Sequence, residues 1–435
     1  MTNTKNKILS SSNPKNQNAD NVPKLRFPEF KGEWEKKKLG EVATNKSGKY
    51  NPEKETESVK CIELEHLASQ TSILLGYIDG KNSGSIKNKF DKGDVLFGKL
   101  RPYLKKYLLA PFDGVCSSEI WVLKGQNISN EFLFRLVQTD IFIDLANQSS
   151  GSKMPRADWD VVKNGVFSFP SLPEQKRIAS FFTVLDKKIT ELKQKKNLLE
   201  QYKTGVMQRL FLSDLGLVGL EDDRIDDDDK NENPTIVKSN KSKFRQLRFK
   251  DDTSTPLSAG NGKEFPKWEK KKLGEVLDYE QPTNYLVSST EYDDKFETPV
   301  VTAGKTFILG YTDETVGIFT KNLPVIIFDD FTTASQFVNF SFKAKSSAMK
   351  ILKARENTNI KFIYEAMQMI NYEIGGHGRH WISVFAEMEI LIPSLAEQTK
   401  IANFLSALDE KINQTENQIQ QTQQWKKGLL QKMFV

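Results

Sequence analysis

After Pro173 the apolar residues Ile178, Phe182, Leu185, Ile189, Leu192, Leu199, Val206 and Leu210 recur at alternating spacings of four and three, with Lys196 and Lys203 at two seam positions. That is the heptad seam of a coiled coil rather than the broader stripe of a surface helix. The phase returns in Ile401, Leu405, Leu408, Ile412, Ile419, Leu429 and Met433, interrupted by Thr415, Thr422 and Lys426. Each predicted helix runs about 40 residues, roughly 60 Å at about 1.5 Å per residue. Rods this long and this narrowly apolar do not fold alone. With a whole domain and a linker between them, the sequence predicts an antiparallel pair whose polar seam positions help fix register.

Elsewhere short apolar runs bounded by Gly, Pro, Asn and Asp predict strands at Asp94–Phe97, Ile120–Leu123, Val166–Phe169, Pro299–Thr302, Val325–Phe328 and Glu389–Ile392. Helices are predicted over Asn130–Asn147 and Ile360–Asn371. The segments outside the long helices are therefore mixed α and β, with no parallel-sheet nucleotide fold implied.

The chain also repeats itself. W-E-K-K-K-L-G-E-V stands at Trp34 to Val42 and again, letter for letter, at Trp268 to Val276. P-S-L-P-E-Q-K-R-I-A-S-F-F-T-V-L-D-K-K-I, from residue 170, returns from residue 393 as P-S-L-A-E-Q-T-K-I-A-N-F-L-S-A-L-D-E-K-I. Gly205, Gln208 and Phe211 match Gly428, Gln431 and Phe434 in the same phase. Between these ends, residues 43 to 169 and 277 to 392 share almost nothing that aligns. Constant ends around variable middles are what a scaffold carrying two different readers requires.

Composition adds limits. With 38% hydrophobic and 28% charged residues, each half can bury its own core. The net charge of +6 and the pI near 8.9 point to a polyanionic partner. They understate it, because E-D-D-R-I-D-D-D-D at residues 221 to 229 places seven acids in what reads as a flexible tether. No run of about 18 apolar residues is present to span a membrane. The polar N-terminus reads as a disordered arm rather than a signal peptide, which gives a cytoplasmic expectation. Cys61 and Cys116 are too few for a disulfide framework or a thiolate metal site and read as buried fillers.

Catalytic chemistry is hard to find. Gly304-Lys305-Thr306 followed by V-I-I-F-D-D at Val325 to Asp330 imitates a phosphate loop and its magnesium-holding acid. Pro299, however, replaces the first glycine that the cradle needs. His377 and His380 lack an acid at ligand spacing. No catalytic, cofactor-binding or metal site is assigned, and the chain reads as a binder.

The duplicated P-x-L-x-E-Q-x-x-I-A-x-F element, each copy opening a long helix, together with the duplicated L-G-E-V, resembles the specificity subunit of type I restriction-modification systems. The resemblance implies two target recognition domains of mixed α/β build in tandem, separated by two long helices packed as an antiparallel coiled coil, an α+β class overall. It implies that each domain reads one half of a bipartite, asymmetric double-stranded DNA target. It also implies that catalysis belongs to partners: two modification subunits that bind S-adenosylmethionine, and restriction subunits that use ATP and Mg²⁺. The expected division is an arm over 1–22, a first domain over 23–170, a helix over 171–213, an acidic linker over 214–246, a second domain over 247–393 and a helix over 394–435. A duplicated protein-interaction adaptor is the alternative from another class, and an unrecognised nuclease is a third.

Candidate DNA-contacting residues lie in basic loops. F-G-K-L-R-P-Y-L-K-K at Phe97 to Lys106 offers Lys99, Arg101 and Lys105, and G-S-K-M-P-R offers Lys153 and Arg156, the latter element resembling one found in the family. In the second domain T-A-G-K-T offers Lys305, and G-H-G-R-H-W offers Arg379 and His380. Arginine suits bidentate contact with guanine and lysine suits phosphate. The shared E-K-K-K reads as a solvated face or a phosphate-facing edge, because two different half-sites do not call for identical readers.

Overall fold

The computed structural model describes residues 21–55, 57–148, 154–211, 248, 266–372 and 379–434. It divides into two compact units, Met1–Lys193 with Glu416–Val435, and Gln194–Thr415. The expected linker over 214–246 and all but the last two residues of the expected arm lie outside the described residues. Asn21, placed in that arm, is already part of the fold: its carbonyl accepts the Trp34 amide at 2.8 Å.

In the first unit E-K-K-K is a strand, Glu35–Lys38, paired antiparallel with Val166–Phe169 so that Glu35 faces Phe169 and Lys38 faces Val166. No alternation of apolar and polar residues reveals this strand, and it is largely open to solvent. The L-G-E-V that follows forms one short helical turn, Leu39–Val42. Beyond it lies a four-stranded antiparallel sheet in the order Ala43–Thr44, Ile120–Gly125, Val95–Gly98, Tyr107–Leu109. A second, five-stranded sheet holds Cys61 and Cys116 on neighbouring strands, both fully buried and free. Burial pushes the Cys61 thiol up to about 12 and the Cys116 thiol higher still, as suits inert packing.

The helix predicted over Asn130–Asn147 is two helices, Asn130–Leu136 and Asp140–Ala146. Ser129 caps the first by accepting the Phe132 amide at 3.1 Å, and Thr139 caps the second by accepting Phe142 at 3.3 Å. Thr139 is what breaks the run, since its hydroxyl offers the backbone a partner that a continuing helix does not.

The second unit repeats this skeleton. Glu269–Lys272 pairs with Glu389–Ile392, and Leu273–Val276 is the following turn. Its main sheet runs Leu277–Glu280, Met349–Ala354, Val325–Asp329, Ser335–Val338, the same order by position in the chain as in the first unit. The middles, unalignable as sequence, thus share a sheet. They differ in the second sheet, three-stranded here rather than five-stranded.

Two long helices, α1 (Leu172–Phe211) and α2 (Leu395–Met433), complete the cores. In the first unit Ile178, Phe182 and Leu185 near the start of α1 share a core with Leu429, Leu430 and Met433 near the end of α2. In the second, Val206, Met207 and Leu210 near the end of α1 share one with Ile401, Leu405 and Leu408 near the start of α2. The helices therefore pack antiparallel, as the heptads predict. Phe434 stacks on Phe132 at 5.1 Å in the first unit, and Phe211 lies 5.4 Å from Phe362 in the second. Each domain is closed by the tail of the other repeat's helix.

The repeated E-Q has a structural role. Gln175 donates to the Pro170 carbonyl at 2.9 Å and accepts the Ser129 amide at 3.0 Å; Gln398 does the same with Pro393 and Asn359 at 2.9 and 2.8 Å. Buried Glu174 receives Arg26 through Nε and Nη2 at 2.7 and 2.8 Å and the Trp34 indole at 3.3 Å. Glu397 receives Arg248 at 2.9 Å and Trp268 at 3.2 Å. A third repeat, L-R-F at Leu25 and Leu247, was the sequence sign of these arginines and is too short to stand out.

Candidate nucleic-acid interface

The first unit brings its two basic loops together. The strand Val95–Gly98 ends in a tight turn in which Arg101 and Lys105 adopt left-handed backbone conformations on either side of Pro102–Leu104. The Arg101 amide donates to Pro155 O at 2.7 Å, and Ala157 donates to Lys99 O at 2.8 Å. Lys99 is tied in turn to the Glu119 carbonyl at 2.9 Å. Lys99, through its backbone, and Arg156, through its side chain, thus meet at Glu119, with Arg101 held beside them on Pro155, although the two loops are more than fifty residues apart in sequence.

Their side chains differ in what they can do. Arg156 is half exposed and lays Nε on Glu119 Oε2 at 3.0 Å, which orients the guanidinium; among the described residues its terminal N–H groups have no partner. An arginine held this way has the fork geometry that guanine reading needs, with less rotamer freedom to lose. Arg101 is exposed, and among the described residues neither it nor Lys99 makes a side-chain ion pair. Lys105 turns to Asp140 at 2.9 Å, and Lys106 donates to the Leu64 carbonyl at 2.6 Å. Lys153 lies outside the described residues.

In the second unit the Lys305 loop is a hairpin tip. Thr302 N donates to Phe307 O at 2.9 Å, and Thr302 Oγ1 accepts from Gly304 N and donates to Thr306 O. The likeness to a phosphate loop is thereby accounted for, and Lys305 projects into solvent. Arg379 is exposed immediately before the short helix His380–Ser383. That helix is pinned by Asp330, whose carbonyl accepts His380 N at 3.0 Å and whose Oδ1 accepts Trp381 N at 2.8 Å. Asp330 itself is buried against Lys350 at 3.1 Å. The second acid of V-I-I-F-D-D is thus an anchor for the arginine loop.

His380 requires correction as a surface reader. Its side chain is buried, 5.5 Å from the Tyr372 ring. His377 lies outside the described residues. Among the described residues no group of three His, Cys, Asp or Glu side chains could hold a metal ion, and no helix is long and apolar enough to cross a membrane.

This duplicated architecture has counterparts. The model of the type I restriction modification DNA specificity domain matches residues 31–201 and 266–423, most of the chain and both repeats. The chain belongs to the type I restriction-modification specificity family. The specificity subunit of the type I restriction enzyme EcoR124I/EcoR124II of Escherichia coli is 49% identical over 145 residues, 31% of this chain and 36% of that protein. The EcoDI specificity subunit of Escherichia coli is 33% identical over 128 residues, 28% of this chain and 29% of that one. These alignments span about a third of the curated relatives. The crystal structure of the type I restriction-modification S subunit from M. genitalium shares the fold, with a TM-score of 0.59 at 13% identity over 95% of this chain and 99% of that one.

Proposed function

We propose that this chain is the DNA sequence-recognition subunit of a type I restriction-modification complex in the cytoplasm. Each unit reads one half of a bipartite, asymmetric target in double-stranded DNA. The observation that carries this reading is the contrast between the two units. Their opening strands, closing strands and helix cores coincide, while the cations of their basic loops differ in identity and in supporting contacts: Lys99 and Arg156 on Glu119 with Arg101 on Pro155 in one, Lys305 and Arg379 on separate elements in the other. Identical scaffolds suit two copies of one partner, the modification subunits, and different readers suit different half-sites. Adenine methylation then belongs to those subunits with S-adenosylmethionine, and ATP-driven cleavage with Mg²⁺ to restriction subunits.

The test is reconstitution. The chain mixed with its modification subunit and S-adenosylmethionine is expected to methylate a random duplex pool at one two-part motif, and the chain alone nothing. Binding of the modification subunit with no sequence preference in the methylated pool points to the adaptor instead. Methyl transfer or cleavage by the chain alone overturns its non-catalytic assignment.

A further inference from the structure

The first unit carries a cleft of about 1060 Å³ that the reader loops leave unexplained. One wall is the loop from Ser69 to Ile73, whose Gln70 amide donates to the Lys105 carbonyl at 3.0 Å. Residues Thr183 to Lys193 of α1 and Gln423 to Gln431 of α2 also line the cleft. Lys105, Lys187, Lys193, Lys426 and Lys427 line it against two carboxylates, Asp140 and Asp186. Both carboxylates are already engaged, by Lys105 at 2.9 Å and Lys426 at 2.6 Å. Among the described residues Lys187 meets only exposed Glu191, at 3.9 Å, and Lys193 and Lys427 have no ion-pair partner. The cleft thus holds uncompensated positive charge. The buried Gln138 also lines it, and among the described residues its Oε1 has no hydrogen-bond partner.

The charge is confined to one repeat. In the register that places Asp186 on Asp409, the positions of Lys187 and Lys193 are Glu410 and Glu416, and that of Lys427 is Thr204. A surface for a partner present in two copies recurs in both repeats, as the E-K-K-K strand does. This one does not: two of its three lysines give way to glutamate and the third to threonine. It therefore suits a partner that meets the two halves differently, and it is continuous, through Lys105, with the loop that carries Lys99 and Arg101.

We infer that this cleft is a phosphate track: Lys187, Lys193 and Lys427 hold the phosphodiester backbone of duplex DNA beside the first half-site, independently of base sequence. The inference rests on the proposed DNA-reading function and adds to it an electrostatic asymmetry between the halves. The first unit supplies the larger share of sequence-independent affinity.

The measurement is the salt dependence of binding by the assembled modification complex, on a duplex carrying its target and on one lacking it. Each phosphate contact contributes about 0.9 to the slope of log K against log salt. Lys187→Gln, Lys193→Gln and Lys427→Gln combined are expected to lower that slope by about 2 to 3 on both duplexes, leaving the methylated motif unchanged. The matching Lys→Arg triple variant is expected to restore it. An unchanged slope overturns the track. So does loss of co-purifying modification or restriction subunits with the slope intact, which assigns the cleft to an acidic protein. If the wild-type complex shows no two-part preference, the function reading fails separately, because the slope on non-specific duplex still reports on the cleft.

Discussion

Asp186 accepts the Lys426 ammonium at 2.6 Å while its other oxygen takes Arg135 at 2.5 Å, so one carboxylate serves two cations. The equivalent residues of the other repeat, Asp409 and Lys203, also meet at 2.6 Å. There the domain helix contributes Lys361 and Glu365 instead, and Lys203 reaches both Glu365, at 3.1 Å, and Asp409. The polar seam positions are thus the points where each long helix recognises the tail of the other within a unit.

The first unit's layer carries an excess cation, and burial holds Lys426 below the usual lysine range even though Asp186 works in the opposite direction. Asp186→Ala leaves Arg135, 4% exposed, facing Lys426, 16% exposed. It is expected to cost about 3 kcal/mol. Lys426→Met keeps the Arg135–Asp186 pair and replaces an ammonium with an apolar chain, so its effect stays within about 1 kcal/mol. Urea unfolding of the two variants decides this, and equal losses contradict it.

The second unit's layer gives a pH dependence. Burial works against ionisation of Asp409, yet hydrogen bonds from Lys203 and Lys361 leave its carboxyl below the ordinary value of 3.8. The unfolded chain therefore takes up its proton first as pH falls. The stabilisation from ionised Asp409 is fully present above 3.8 and fades as pH drops through the lower, folded value. Thermal melts should show Asp409→Asn less stable than wild type near neutrality, with the gap closing at the acid end. A gap that is constant with pH argues against the pairing.

The helical seam was legible because its period is local: Ile178, Phe182 and Leu185 declare it within a few turns. The closing strands Val166–Phe169 and Glu389–Ile392 were equally plain as apolar runs. The opening strands were not, since three consecutive lysines do not alternate and their partner lies far along the chain. The shared four-stranded sheet was hidden because any buried β-branched or aromatic residue satisfies a strand position; I-W-V-L and M-K-I-L serve equally well. At the candidate site the loops were found from Gly, Pro and basic residues. Glu119 as their meeting point, the burial of His380 and Asp330 as an anchor all depend on tertiary contacts that no spacing encodes.

If α1 and α2 set the distance between half-sites, one heptad inserted after Lys193 and one after Glu416 keep the seam in phase. Each helix lengthens by about 10 Å, equivalent to about 3 base pairs. The half-site sequences should persist while the gap grows, with binding weakened by the rotation of one half-site about the duplex. An unchanged gap at full activity removes the helices from that role.

Independent reading by the two units is tested most directly by the methylation motif of cells carrying the complex with single reader variants. Arg156→Ala is expected to make one half-site degenerate and Arg379→Ala the other, each costing about 1 to 3 kcal/mol of discrimination, with the opposite half and the gap unaltered. His380→Ala, at a buried position, should lower stability and leave the motif intact. Degeneracy in both halves from either arginine variant, or in neither from both, would contradict the assignment of one half-site to each unit.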